Sequence, residues 1–211
     1  MSKALTFGSL EIAFDDSVLR PREWTTGQSL WAASLLVDAV PDGPVLELCA
    51  GAGQIGLLAV AGSGRSLVCI DANPSACDFA RANAHAAGLA DLVDVREGRL
   101  ESSLADDELF ALVIADPPWV RREETGRYPE DPLLAIDGGD DGLDVARACL
   151  TVIGRHLMPG GAGVLQLGSE AQVEALREDP SVRAGGLSLS EVRSHERGVL
   201  VLVDREPDDT L

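Results

Sequence analysis

Short apolar runs recur along the chain at "PVLELCA" (44–50), "SLVCIDA" (66–72), "LVDVRE" (92–97), "LFALVIA" (109–115) and "GAGVLQLG" (161–168). They are too short for helices and rich in Val, Leu and Ile, the pattern of strands buried on both faces. Between them apolar residues fall at helical spacing, predicting helices over 54–61, 74–87, a short one near 100–106, then 143–157 and 169–177. Strands alternating with amphipathic helices imply a doubly wound α/β fold around a mostly parallel sheet. The C-terminus breaks the rhythm: "LSLSEVRS" and "GVLVLVDRE" are separated only by "HERG". That link is too short for a parallel crossover, so the two segments should pair as an antiparallel hairpin.

Ahead of this body, residues 5–20 alternate like a short hairpin or an irregular lid segment. Residues 25–40 read as a helix with Leu30, Trp31, Leu35, Leu36 and Val40 on its apolar face, ended by "PDGP". The expected organisation is a lid or cap over 1–24, one domain over 25–205, and an acidic tail over 206–211 that frays.

Composition narrows the function. With 211 residues, 45% of them hydrophobic, one domain with a sizeable core is expected. Seventeen basic against 35 acidic residues give a net charge of −18, a field that repels phosphate backbones and anionic membranes. Generic nucleic-acid binding is therefore not expected. The N-terminus carries no leader pattern and no window approaches a membrane span, so a cytoplasmic protein is expected. Cys49, Cys69, Cys77 and Cys149 are widely spaced without a CxxC pair and read as reduced packing residues. His85, His156 and His195 have no ligand spacing, and "DGGDDGLD" lacks the alternating ligands of a calcium loop, so no metal is expected. The pattern points to no oligomeric interface.

Two stretches carry chemistry. "LELCAGAGQIG" sets Gly51, Gly53 and Gly56 in a GxGxxG pattern between a strand and a helix, where missing Cβ atoms let a ligand approach the main chain. Asp71 ends the next strand, twenty residues past Gly51, where an acid binds ribose hydroxyls. A dinucleotide and S-adenosyl-L-methionine both fit that arrangement. Glu47 favours the second, because a carboxylate inside the motif suits the aminoacyl part of a cationic sulfonium cofactor. The other stretch is "ALVIADPPWV" (111–120), a strand stopped by two prolines that cannot continue its ladder. Asp116 and Trp119 flank those prolines at the strand end facing the cofactor site.

"ELCAGAGQIG" resembles motif I of class I methyltransferases, which implies a seven-stranded Rossmann-like sheet with an antiparallel C-terminal strand. "ADPPWV" resembles the (N/D)-P-P-(Y/F/W) signature of enzymes that methylate amide or exocyclic amine nitrogens. There the first residue's side chain and the next residue's carbonyl accept the substrate's N–H bonds, and the aromatic packs on its planar group. Asp116, Pro117 and Trp119 take those roles on this resemblance.

"PEDPLLAIDGGDDGLDVARACLTVIGRHLMPGGAGVLQLG" and "VLRPREWTTGQSL" extend the likeness to HemK-type protein-(glutamine-N5) methyltransferases over roughly residues 18–204. The implied cofactor contacts are Glu47, Cys49, Gly51, Gly53, Gln54, Asp71, Ala72, Gly98, Arg99 and Asp116, with Pro21, Arg22 and Thr25 closing the site. The chain departs from that family in three places: Asp116 stands for the usual Asn, Trp119 for the usual Tyr, and Arg99 where an acid often meets the adenine. With about 20 residues ahead of the match, the helical N-terminal domain of bacterial members is not expected here. The expected acceptors, in order, are a protein glutamine, a small planar amine or amide, and an adenine in RNA; the alternative class is a catalytically weak binding module. Arg20, Arg22, Arg121, Arg122 and Arg127 are candidates for a basic rim, Trp31 for the core, and Trp24 for either core or lid.

Overall fold

A computed structural model describes residues 3–195 and 197–205. The chain opens with a β1 (Lys3–Phe7) and β2 (Leu10–Phe14) antiparallel hairpin, then α1 (Thr26–Asp38). The alternating body follows as β3 (Val45–Leu48), α2 (Gln54–Val60), β4 (Leu67–Asp71), α3 (Pro74–Ala86), β5 (Val93–Glu97) and β6 (Phe110–Ala115). A short α4 (Leu133–Ile136) precedes α5 (Asp144–His156), β7 (Leu157–Leu167), α6 (Glu170–Arg177), α7 (Pro180–Ala184), β8 (Leu187–His195) and β9 (Gly198–Arg205).

Seven strands form one sheet in the order β5-β4-β3-β6-β7-β9-β8. The pairs among β5, β4, β3, β6 and β7 are parallel, and β9 runs antiparallel to both β7 and β8, as the short "HERG" link requires. The chain moves outward from β3 to β5 and then returns to β6 on the other side. That reversal leaves a crevice beyond the C-terminal ends of β3 and β6, where loops from both sides cannot cover the sheet. The glycine loop and the Asp116–Trp119 segment stand there.

Both faces of the sheet are covered, which is why its central strands β3 and β6 are apolar except for Glu47. Leu46, Leu48, Val113 and Leu165 pack against α5, α6 and α7, whereas Val45, Leu112, Ile114 and Val164 face α1 and α2. Helix α3 starts at Pro74 because Asn73 caps it, its side chain accepting the Ser75 N–H.

Four expectations change. Of the two readings for residues 5–20 the hairpin holds, over 3–14, and its inner face joins the core instead of forming a lid: Phe7 and Ile12 are fully buried, each contributing about 2–3 kcal/mol by area removed from water. Asn83 on α3 fixes this hairpin by accepting the Ala13 N–H at 2.8 Å and donating to the Ala13 and Ala52 carbonyls. Helix α1 is turned from its expected face. Gln28, Ser29, Trp31, Ala32 and Leu36 point inward and Leu30 is 63% exposed, because Gln28 and Ser29 spend their hydrogen bonds on strand-end and α2 carbonyls. Strand β7 begins at Leu157, before its expected start, through a register shift opposite Phe110 and Leu112. Helix α7, capped by Asp179 onto Ser181 N–H, had been hidden by its brevity. The expected acidic tail, 206–211, lies outside the described residues.

Candidate functional site

The glycine loop owes its shape to three left-handed residues, Cys49 (φ 57°), Gly51 (φ 54°) and Gly53 (φ 79°). Only Gly adopts that region without strain, so Cys49 is a costly position that its surroundings must hold. Asp71 does part of this work: its carboxylate accepts the N–H groups of Gly51 and Asn73, both at 2.8 Å. Burial raises the Asp71 pKa while those backbone donors pull it back. The Cys49 thiol touches Cys149 and is pushed well up by that contact and by burial, so it is a packing thiol at neutral pH.

Glu47 sits under this loop rather than in a cavity. It is 2% exposed, accepts the Gly56 N–H at 2.9 Å and receives the Cys69 thiol at 3.3 Å. A Cβ on Gly56 would lie 2.4 Å from Glu47 Oε2, so this glycine is what lets α2 close onto β3. Desolvation raises the Glu47 pKa to about 7. The expectation that Glu47 faces a cofactor is corrected: its side chain is enclosed between Gly56 of α2 and Cys69 of β4 and lines no cavity at the strand ends. Gly53 is likewise internal, its missing side chain filled by Ala80.

Two cavities meet beyond the strand ends. The smaller, about 190 Å³, is lined by Cys49, Gly51, Asp71, Ala72 and Gly98 among others. The larger, about 570 Å³, is lined by Arg22, Trp24, Thr25, Pro117, Trp119 and Tyr128 among others. Leu19, Gln54, Asp116, Pro118 and Ala135 belong to both. Eleven of the expected site residues therefore share one crevice, with Gln54 and Asp116 at its centre. Arg99 is corrected: its side chain is 83% exposed, reaches only toward Glu101 at 3.8 Å, and lines neither cavity. The β5 end turns it outward, and Gly98 and Leu100 form the wall instead.

The segment after β6 is braced from several sides. Gln28 Nε2 donates to the Ala115 carbonyl at 2.9 Å, immediately before Asp116. Gln172 Nε2 donates to the Trp119 carbonyl at 3.0 Å, and its Oε1 accepts the Gly168 N–H at 2.8 Å. The Trp119 ring lies where a side chain on Gly168 would be, 2.4 Å from that missing Cβ. "DGGDDG" is structural: Gly142 (φ 79°) abuts the Trp119 carbonyl, and Asp137 accepts the Gly139 N–H. Its side chains turn a loop under Trp119.

Asp116 itself is half-buried, and among the described residues its carboxyl has no hydrogen-bond partner. Desolvation alone raises its pKa to about 7.

The expected basic rim is mostly neutralised. Arg22 donates from Nη2 to both carboxylate oxygens of Asp131, at 2.7 and 2.8 Å, joining the N-terminal segment to the loop after Trp119 across the larger cavity. Arg122 binds Asp137 and Asp140, Arg127 binds Glu124, and neither lines the cavities. Trp24 is a wall of the larger cavity, and Trp31 is core, with the Arg193 guanidinium 3.7 Å from its ring centre. His156 is a buried helix-end residue held against the Glu108 carbonyl; His85 and His195 are exposed.

Sequence reasoning missed Gln28, Asp131, Gly168 and Gln172. Gln28 alone left a local trace, as a polar residue on the inward side of α1.

Residues 24–130 match the methyltransferase small domain family. The release factor glutamine methyltransferase of Clostridium acetobutylicum is 30% identical over 178 residues, covering 78% of this chain and 60% of that protein. The ribosomal protein uL3 glutamine methyltransferase of Bradyrhizobium diazoefficiens is 33% identical over 156 residues, covering 71% and 49%. The chain thus spans about half to three-fifths of the length of these relatives. Among solved structures, the hMettl16 catalytic domain in complex with MAT2A 3′UTR hairpin 6 aligns with a TM-score of 0.73 at 17% identity, covering 95% of this chain and 77% of that one. That likeness is one of fold.

Proposed function

The chain belongs to the methyltransferase small domain family, as a HemK-like class I member, and from this we propose that it moves the methyl group of S-adenosyl-L-methionine onto a nitrogen. The acceptor we favour is the side-chain amide of a protein glutamine, the group named in the relatives' activities. The domain carrying this activity would span 25–205 together with the hairpin 3–14 packed into its core, with residues 15–24 over the crevice. The observation that carries the reading is Asp116: an unpaired carboxyl at the one place where the two cavities meet.

The smaller cavity suits the cofactor. Gly51 opens the main chain toward it, and Asp71, with one lone pair on each oxygen committed to a backbone N–H, keeps the others for ribose hydroxyls. Cys49, Ala72 and Gly98 are small enough to admit a planar base beside them. When bound, the sulfonium supplies an electrophilic methyl group.

The protein's task concerns the nitrogen. An amide nitrogen is a weak nucleophile because its lone pair is delocalised into the carbonyl. Ionised Asp116 and the Pro117 carbonyl would accept its N–H bonds, hold it with its face toward the methyl, and stabilise the positive charge that grows as the new bond forms. The nitrogen then loses one proton, and Asp116 is the adjacent group able to take it. Trp119, pinned by Gln172 and Gly168, offers a flat wall for the planar amide. Most of the remaining acceleration is alignment in a site from which water is displaced.

The test is incubation of a cell extract with the enzyme and methyl-labelled cofactor, followed by mass identification of the labelled residue. Methyl-glutamine in a protein is expected. Asp116→Ala should bind S-adenosylhomocysteine as the wild type does and lose transfer by at least a hundredfold; undiminished transfer would overturn the role of Asp116, and a labelled product without a methylated nitrogen would overturn the reaction.

A further inference from the structure

Five residues are common to the two cavities, and only Gln54 and Asp116 among them are polar. Asp116 is accounted for above as the acceptor for the reacting nitrogen. Gln54 is the first residue of α2 and makes no side-chain hydrogen bond among the described residues; its Oε1 is buried without any partner.

Such a group is expensive: an unsatisfied buried amide oxygen costs a fold about 1–3 kcal/mol. The other buried amide with an orphaned oxygen, Gln28, is offset by two hydrogen bonds from its nitrogen to strand carbonyls. Gln54 has no such compensation, and it stands where two molecules must meet.

Its orientation divides its two ends. Oε1 lies 3.9 Å from the Cβ position of Gly51, a residue that lines the smaller cavity and not the larger. The oxygen is therefore on the cofactor side. Nε2, the less enclosed end of a half-buried side chain, is left for the other cavity. A carboxamide has one acceptor end and one two-proton donor end, so it can serve a donor in one cavity and an acceptor in the next.

We propose that Gln54 is a positioning residue that joins the two sites: Oε1 accepts an N–H of the cofactor's α-ammonium group, and Nε2 donates to the carbonyl oxygen of the amide being methylated. The inference rests on the function proposed above and adds a requirement to it. The acceptor must present a hydrogen-bond acceptor on the carbon that bears its nitrogen, as a primary carboxamide does. Asp116 reads the nitrogen and Gln54 reads the oxygen. Simple alkylamines and alcohols lack that second point of contact. No covalent chemistry is assigned to Gln54.

Two variants separate the ends. Gln54→Glu keeps an acceptor and replaces the donor by a second acceptor, which repels a carbonyl. Gln54→Leu keeps the approximate size and removes both. S-adenosylhomocysteine binding is measured by calorimetry, and transfer of labelled methyl is measured across a dilution series of cell extract at pH 8.5. The extract concentration at half-saturation reports acceptor affinity, and the plateau reports turnover.

For Gln54→Glu, S-adenosylhomocysteine binding within about twofold of wild type and a half-saturating concentration raised about tenfold are expected, one lost hydrogen bond in a desolvated site. For Gln54→Leu, both readouts should weaken by about tenfold. Unchanged half-saturation in Gln54→Glu would overturn the donor role, and unchanged S-adenosylhomocysteine binding in Gln54→Leu would overturn the acceptor role. If the wild type labels nothing in the extract, the proposed function fails and this inference falls with it. Labelling by the wild type with both variants unaltered would remove Gln54 alone.

Discussion

Replacing Asp116 by Asn tests whether this carboxyl is a desolvated acid without a hydrogen-bond partner among the described residues. Its shape is preserved, so the change removes charge and little else. Desolvation pushes the Asp116 pKa from the ordinary carboxylate value of 3.8 up to about 7 in the folded protein. A carboxyl whose folded pKa is raised is favoured in its neutral form, so folding resists ionisation. The cost is absent well below pH 3.8, accumulates as pH rises between the two values, and is constant above about 7. By linkage it is about 2 kcal/mol at pH 5 and about 4 kcal/mol at pH 8; both are upper bounds, because the side chain opens on a cavity and solvent there screens it. Asn carries no such cost. The stability of Asp116→Asn relative to wild type should therefore rise by about 2 kcal/mol between pH 5 and pH 8. Urea unfolding at pH 5, 6.5 and 8, followed by tryptophan fluorescence, measures this difference. Glu47, also titrating near 7, is present in both proteins and drops out to first order. Transfer gives the complementary sign: wild-type kcat/KM should climb through pH 7 as Asp116 ionises, and the variant's should not show that limb. A stability difference that stays constant from pH 5 to 8 would refute the account of Asp116 as a desolvated, unpaired acid.

Other expectations concern the frame around the site. Breaking the Arg22–Asp131 pair by Arg22→Ala should loosen the segment over the larger cavity, and a double-mutant cycle with Asp131→Ala should give a coupling of about 1–3 kcal/mol in urea melts; additive effects would show that the pair does not hold that segment. Gly56→Ala forces a Cβ to within 2.4 Å of Glu47 Oε2, so a loss of about 2–4 kcal/mol is expected in the same assay, and a loss under 0.5 kcal/mol would mean that α2 shifts freely from β3.

The residues that were legible in the sequence share one property: their signal is local. The GxGxxG pattern, the acid at the end of β4 and the proline stop after β6 each depend on neighbours a few positions away. The sheet order turns them into one crevice, which is why most of the expected contacts line the same two cavities. Glu47 and Arg99 were misplaced for the same reason. Position in a motif says which loop a side chain leaves from, but the direction it takes depends on what fills the space beside it. For Glu47 that is the Gly56 N–H and the Cys69 thiol, and for Arg99 it is solvent.

The amino-acid sequence by itself determined the alternation of strand and helix, the antiparallel ending and the strand ends where chemistry is possible, because periodicity and turn chemistry act over a few residues. Only the tertiary structure decided that β1 and β2 are core, that Arg22 closes on Asp131 across 109 positions, and that Gln28 and Gln172 brace the segment around Asp116. It also decided that Gln54 and Asp116 line both cavities and that Gln54 has no side-chain hydrogen bond among the described residues. Such contacts link segments far apart in the chain, and which of them meet is set by strand order and packing, quantities no local pattern contains.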